Sequence, residues 1–155
     1  MAGAIALRDV APGDLPTLYA HQLDPVATAL AAFPSRDWPA FAAHWSRILA
    51  DPSCIARAIL CGDQVAGNIG SYLADGRREV GYWLGREYWG RGIATAALAR
   101  FLTEVTERPL YAHVVRHNVA SRRVLEKCGF AVCGEDVLPA SVPGEAVEEL
   151  VLRLG

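Results

Sequence analysis

The pattern of apolar and polar positions changes period several times along this chain, and those changes outline its elements. Ile5–Val10 reads as an opening strand, and Pro12-Gly13-Asp14 as a turn, with Asp14 placed to cap a first helix reaching about Leu23. A second helix is expected to start near Asp37, with Pro39 tolerated in its first turn and Trp38, Phe41, Trp45, Ile48 and Leu49 recurring on one buried face. Three strand-like runs follow, Ile55–Cys61, Gln64–Leu73 and Arg78–Leu84, separated by turns at Gly62-Asp63 and Ala74-Asp75-Gly76. Adjacent runs joined by such short turns form an antiparallel meander.

After Leu84 the period lengthens. Gly85–Gly92 is rich in glycine and aromatic residues, and from there a helix is expected to run to about Thr106. Ile93, Ala94, Ala97, Leu98, Phe101, Leu102 and Val105 form its continuous apolar stripe. Pro109 ends that helix, Leu110–Arg116 reads as a strand, and Asn118–Cys128 as a shorter helix closed by Gly129. Phe130–Val137 and Val147–Leu154 complete the chain as two more strands. The fold class is therefore α/β: a mixed, mostly antiparallel twisted sheet of about seven strands with four helices, built as a single domain over residues 1–155.

Composition narrows the function classes. Hydrophobic residues make up 52% of the 155 and charged residues 21%, enough to bury a core without disulfides. The net charge of −2 argues against a protein that grips nucleic acid through its phosphates, and no polybasic patch is present for a membrane surface. No uncharged run is longer than Pro25–Ser35, well short of a membrane span, and Met1–Val10 lacks the features of a secretory signal. A cytoplasmic location is expected. Cys54, Cys61, Cys128 and Cys133 show neither a C-x-x-C pair nor metal-ligand spacing, so they read as free thiols. His113 and His117 fall on a strand and a turn, and no metal is expected.

The richest chemistry lies in Gly81-Tyr-Trp-Leu-Gly-Arg-Glu-Tyr-Trp-Gly-Arg-Gly-Ile-Ala-Thr95, which reads as strand, glycine loop and helix start. Gly90 and Gly92 let a ligand approach the main chain, and the first N–H groups of the helix have no intrahelical partner. With the helix dipole they form a cradle for a phosphate or pyrophosphate. A plain structural turn is the alternative. Neither the dinucleotide fingerprint nor the nucleotide-triphosphate loop fits.

The loop resembles the Gln/Arg-x-x-Gly-x-Gly/Ala loop of the GNAT superfamily of acyl-CoA-dependent N-acetyltransferases, with Gly92-Ile93-Ala94 in its second half and Trp89 where Gln or Arg is usual. Asn118-Val-Ala-Ser121 through Lys127-Cys-Gly-Phe130, 26 residues after Gly92, resembles that family's later motif. The wording of both motifs is most similar to the ribosomal-protein N-acetyltransferase-like branch, and the resemblance spans nearly the whole chain.

The resemblance implies an acetyl transfer from acetyl-CoA, the co-substrate, to a small-molecule or peptide amine by direct attack in a ternary complex. It implies that the strands holding Glu79–Leu84 and Tyr111–Arg116 splay apart, leaving a cleft for pantetheine. Trp83, Leu84 and Gly85 would offer backbone groups to the pantetheine, one N–H polarising the thioester carbonyl, a contact worth about 3–4 kcal/mol of barrier. Trp89, Gly90, Arg91, Gly92, Ile93, Ala94 and Thr95 would hold the pyrophosphate. Asn118 would bond the pantetheine arm, cap its own helix, or both. Glu79 matches the strand glutamate that serves as base, with His113 as the rival, since an ammonium has no lone pair until it loses a proton. Leu125 occupies the usual tyrosine position and cannot donate, which leaves Ser121 as the proton source for the CoA thiolate or as a simple cap. A non-catalytic CoA-binding module and a different acyl donor are the competing readings. The acceptor is expected between the first two helices and the final hairpin, where Asp136, Glu145 and Glu148 are acidic. A homodimer is one arrangement open to the chain, though nothing in the residues sets the oligomeric state.

Overall fold

The structure, a computed structural model, describes residues 4–138 and 147–155. Its strands are β1 (Ile5–Asp9), β2 (Ile55–Cys61), β3 (Gln64–Ala74), β4 (Arg77–Leu84), β5 (Leu110–Val115), β6 (Ala131–Leu138) and β7 (Val147–Leu154). They join in one sheet of order β1-β2-β3-β4-β5-β7-β6, antiparallel throughout except between β4 and β5. The expected mixed, mostly antiparallel architecture is what forms.

Among the described residues, five α-helices accompany the sheet rather than the four expected: α1 (Leu15–Gln22), α2 (Pro25–Ala31), α3 (Trp38–Ala50), α4 (Ile93–Glu104) and α5 (Val119–Lys127). The unforeseen one is α2. Asp24 caps it by accepting the Val26 N–H at 3.0 Å, Pro25 opens it, and Ala32 ends it in the left-handed region at φ 50°. Only Ala27 is buried along it, so no apolar stripe betrays it in the sequence. The amide of Gln22 then secures the segment beyond, accepting the Arg36 N–H at 2.7 Å and donating to its carbonyl at 3.0 Å.

Two local expectations are corrected. The Asp14 side chain makes no cap bond to α1. Its carboxylate turns back instead to the Arg8 guanidinium at 2.7 and 2.8 Å and to the Ala11 N–H at 2.8 Å. A bidentate charged partner outcompetes a neutral amide. On α3, Phe41 and Trp45 are buried, but Trp38 and Leu49 are more than two-fifths exposed, so the buried face is narrower than its apolar pattern.

The sheet separates two cores. Against one face, Ile93, Ala97, Leu98 and Phe101 of α4 and Leu125 of α5 pack on Ile59, Ile69, Val80, Leu84, Leu110 and Leu152. Against the other, Leu18, Phe41 and Trp45 of α1 and α3 pack on Val10 and Ala58. In its middle the ladder nearly breaks, because β4 and β5 share a single register pair, Glu79 with Tyr111. Beyond it the parallel strands diverge, as the resemblance implied. Among the described residues, no helix is long and apolar enough to cross a membrane.

Candidate active site

Alternation along β4 sends its side chains to opposite faces beside the gap. Glu79, Gly81 and Trp83 face α1 and α2, while Val80, Tyr82 and Leu84 face α4 and α5. The same parity on β5 puts His113 on the first face and Ala112 and Val114 on the second.

On the first face, Glu79 and His113, which the sequence offers as rivals, are partners. His113 Nε2 lies 2.8 Å from Glu79 Oε1, and His113 Nδ1 lies 2.7 Å from Glu149 Oε1 on β7. Both carboxylates are buried, with residue exposures of 7% and 8%, whereas the imidazole keeps 30% of its side-chain surface. Burial pushes the Glu79 carboxyl above its ordinary range, and neighbouring Glu149 adds to the push, while His113 opposes both. Glu149 was not foreseen. It reaches His113 only through the antiparallel register of β5 and β7, in which Val115 faces Glu149 and His113 faces Val151. Of the acidic residues expected near the acceptor, Glu148 pairs with Arg116 at 2.8 Å on the surface, and Glu145 lies outside the described residues.

On the second face, the Tyr82 hydroxyl stands 2.7 Å from Ser121 Oγ and 3.2 Å from the Ser121 carbonyl. Burial pushes the Tyr82 phenol up to about 12, so it stays protonated across the neutral range. Ser121 sits in the first turn of α5, where Asn118 Oδ1 accepts its N–H at 3.3 Å. The Asn118 side-chain oxygen is thereby committed to capping, which leaves its NH2 group as donor. Leu125 is 2% exposed within the core. Tyr82 was not foreseen, although strand parity, which puts it on the face of Val80 and Leu84, could have found it.

The backbone at the lip of the gap is partly committed. The Gly85 N–H donates to the Ala66 carbonyl at 2.8 Å, toward β3, so alternation leaves the Leu84 N–H directed at the gap. The Leu84 carbonyl accepts the Trp89 indole N–H at 3.2 Å. Gly90 and Gly92 adopt φ of 74° and 75°, and nothing lies within 4 Å of where a Cβ would stand on either. Their requirement is conformational, with open space above. Gly92 begins α4, and no side chain caps that end. Ile93 anchors in the core and Ala94 and Thr95 are half-buried, while the Arg91 guanidinium lies over the Tyr88 ring, 5.5 Å from its centroid.

Helix α2 bridges the diverging strands on the Glu79 face. Past β5, His117 Nε2 donates to the Ala29 carbonyl at 3.1 Å, and just past α2 the Phe33 ring meets Trp83 edge-on, centroids 6.5 Å apart. The Trp83 indole N–H donates to the His21 carbonyl at 3.3 Å. His21 packs tightly over Gly85, where any Cβ would meet its ring at 2.7 Å, and burial lowers its basicity. Among the described residues, no group of three His, Cys, Asp or Glu side chains is arranged to hold a metal ion.

Comparison with known proteins gives this geometry a lineage. The chain is 33% identical over 95 residues to a Bacillus subtilis (strain 168) protein provisionally named ribosomal N-acetyltransferase YdaF, covering 56% of this chain and 51% of that one. It is 33% identical over 75 residues to the uncharacterized N-acetyltransferase p20 of Bacillus licheniformis, covering 44% and 42%. The chain thus spans about half the length of the curated relatives it matches. The spermidine N-acetyltransferase of Vibrio cholerae, solved with CoA and spermine, superposes with a TM-score of 0.83 at 17% identity, over 97% of this chain and 94% of the other. The ribosomal-protein-alanine N-acetyltransferase of Brucella melitensis gives 0.80 at 23% identity, over 96% and 98%. The model of the acetyltransferase (GNAT) domain matches residues 5–131, and the chain belongs to that family.

Proposed function

We propose that this protein transfers an acetyl group from acetyl-CoA to a primary amine, by direct attack within a ternary complex. The observation that carries the reading is the gap between β4 and β5, with a buried carboxylate on a partly exposed imidazole at one face and a pair of part-buried hydroxyls at the other. Amide formation from an ammonium and a thioester takes two protons from nitrogen, one before attack and one as the amide forms, and gives one to sulfur. A thioester lying in the gap would present its carbonyl carbon between the two faces.

The residues fit the co-substrate. The left-handed backbone at Gly90 and Gly92, the open space above both and the uncapped start of α4 suit a pyrophosphate. Leu84 N–H is the donor placed to polarise the carbonyl. Acetyl-CoA supplies the activated acyl group, and the protein moves the protons. Glu79, with His113, takes one from the acceptor ammonium, whose lone pair then attacks the carbonyl carbon, forming C–N as C–S breaks. Ser121 Oγ, 2.7 Å from the Tyr82 hydroxyl, passes a proton to the departing thiolate and is reprotonated by the second proton that the nitrogen gives up. The acceptor is a small-molecule amine or a protein N-terminus, approaching as a cation beside Glu79 and Glu149.

Turnover of acetyl-CoA against a panel of amines tests the reading, and failure of every amine would sink it. Gly92→Val tests the cradle. A β-branched residue at φ 75° is strained, and calorimetry should show most of the acetyl-CoA affinity lost. One observation favours a second reading, a CoA-binding module without turnover. Trp89 occupies the Leu84 carbonyl and Leu125 lies in the core, both at positions where the family usually places functional side chains. Co-purified CoA without turnover would support it.

A further inference from the structure

The cluster of Glu79, His113 and Glu149 contains an unresolved proton count. A neutral imidazole has one N–H, yet each ring nitrogen lies within hydrogen-bond distance of a carboxylate, 2.8 Å to Glu79 and 2.7 Å to Glu149. Two acceptors facing without a hydrogen would repel. The geometry therefore corresponds to a cluster holding one proton more than a neutral histidine and two carboxylates, so its net charge is −1 rather than −2. That proton resides on the imidazole, as imidazolium between two carboxylates, or on a carboxyl, that of Glu79 donating to Nε2 or that of Glu149 donating to Nδ1; burial, which pushes the Glu79 carboxyl upward, favours Glu79 of the two.

We propose that Glu149 is the positioning residue of this base: it takes the His113 Nδ1–H, turns Nε2 toward Glu79, and makes three groups rather than one the acceptor of the amine proton. Before turnover the extra proton leaves to water through the exposed part of the imidazole. The Glu79 carboxylate then receives a proton from the acceptor ammonium and shares it with Nε2, restoring the geometry seen here, and that proton leaves to water in turn. Glu149 never touches the amine in this scheme. Its negative charge, 2.7 Å from the ring, stabilises the protonated cluster and so sets how strong a base the three groups form.

Other charges bear on the same proton. Arg77 on β4 and Asp75 in the β3–β4 turn act on Glu79 with opposite sign, and Arg77 lies over the Tyr111 ring of β5, 4.5 Å from its centroid. From β3, Tyr72 is held protonated by burial and by the two carboxylates. None of them contacts His113 Nδ1, which leaves Glu149 as the group that orients the ring.

The catalytic part rests on the acetyltransferase reading, so the test has one arm that needs no substrate. Long-range ¹H–¹⁵N spectra of the parent protein should show a proton on His113 Nδ1, and the last proton should leave the cluster of Glu149→Gln at a pH about one unit lower than in the parent. In the kinetic arm, Glu149→Gln should lower kcat with acetyl-CoA affinity kept, and should move the acidic limb of kcat/KM to lower pH by a similar amount. Loss of packing alone would lower activity without moving the limb. An Nδ1 without a proton in the parent would overturn the proposal, and this readout holds even where Glu149→Gln fails to fold. Unchanged nitrogen signals and an unmoved limb in a folded Glu149→Gln would overturn it as well. A parent that acetylates no amine while giving the expected nitrogen spectrum would defeat the functional reading and leave the orientation of His113 by Glu149 supported.

Discussion

The two faces of the sheet beside the β4–β5 gap hold their ionisable groups in opposite ways. On the α1–α2 side, two buried carboxylates share one partly exposed imidazole, so negative charge accumulates where a cation can reach it. On the α4–α5 side, a tyrosine and a serine pair as part-buried hydroxyls, the tyrosine packed against the apolar core. One strand produces both environments through a two-residue alternation, with Glu79 and Tyr82 three positions apart on β4. A single residue-scale shift of register would exchange them.

The largest expected effect comes from removing the proton acceptor. Glu79→Gln should lower turnover at neutral pH by roughly 10²-fold with folding and acetyl-CoA affinity kept, and the deficit should shrink at high pH, where the amine deprotonates unaided. Because Glu79 and His113 act as a unit, His113→Ala combined with Glu79→Gln should cost little more than either alone, and additive losses in a rate assay would separate the two. The sign of the pH dependence follows from burial. With the Glu79 carboxyl held above its ordinary value, activity should fall off at a higher pH on the acid side than a solvated glutamate would give.

A smaller loss is expected on the opposite face. Ser121→Ala should reduce kcat by about 10-fold with little change in acetyl-CoA affinity, since a CoA thiolate leaves fairly well unaided. Tyr82 should contribute no basic limb below about pH 12. A Ser121→Ala loss as deep as that of Glu79→Gln would erase the asymmetry between the faces.

The smallest effect belongs to the edge between them. Trp89→Phe removes the indole N–H from the Leu84 carbonyl, a neutral hydrogen bond worth about 1 kcal/mol, and should tighten acetyl-CoA binding by no more than ~5-fold. Weaker binding would mean that the indole supports the cleft.

Legibility in the sequence followed the range of the interactions. Strand runs, the apolar stripe of α4 and the glycine loop are local patterns, and each lies where expected. Glu79 and His113 were found as separate candidates, Glu79 through its match to the family's strand glutamate and His113 through its residue type on the neighbouring strand. Their partnership, and the arrival of Glu149, depend on which strands neighbour in the sheet, and β7 enters between β5 and β6 only in three dimensions. Helix α2 was invisible for the opposite reason. It is local, but it buries too little to leave a periodic trace.

The single register pair between β4 and β5 also has a mechanical side. Strands β1–β4 and β5-β7-β6 form two plates, and a single register pair joins their ladders at the seam. Amide hydrogen exchange should map the seam. The Gly85 N–H, tied to Ala66 inside one plate, should exchange slowly, whereas its neighbour at Leu84, facing the seam, should exchange fast. An occupant that bonds to both lips would act as the missing rungs of the ladder, stiffening the two plates into one.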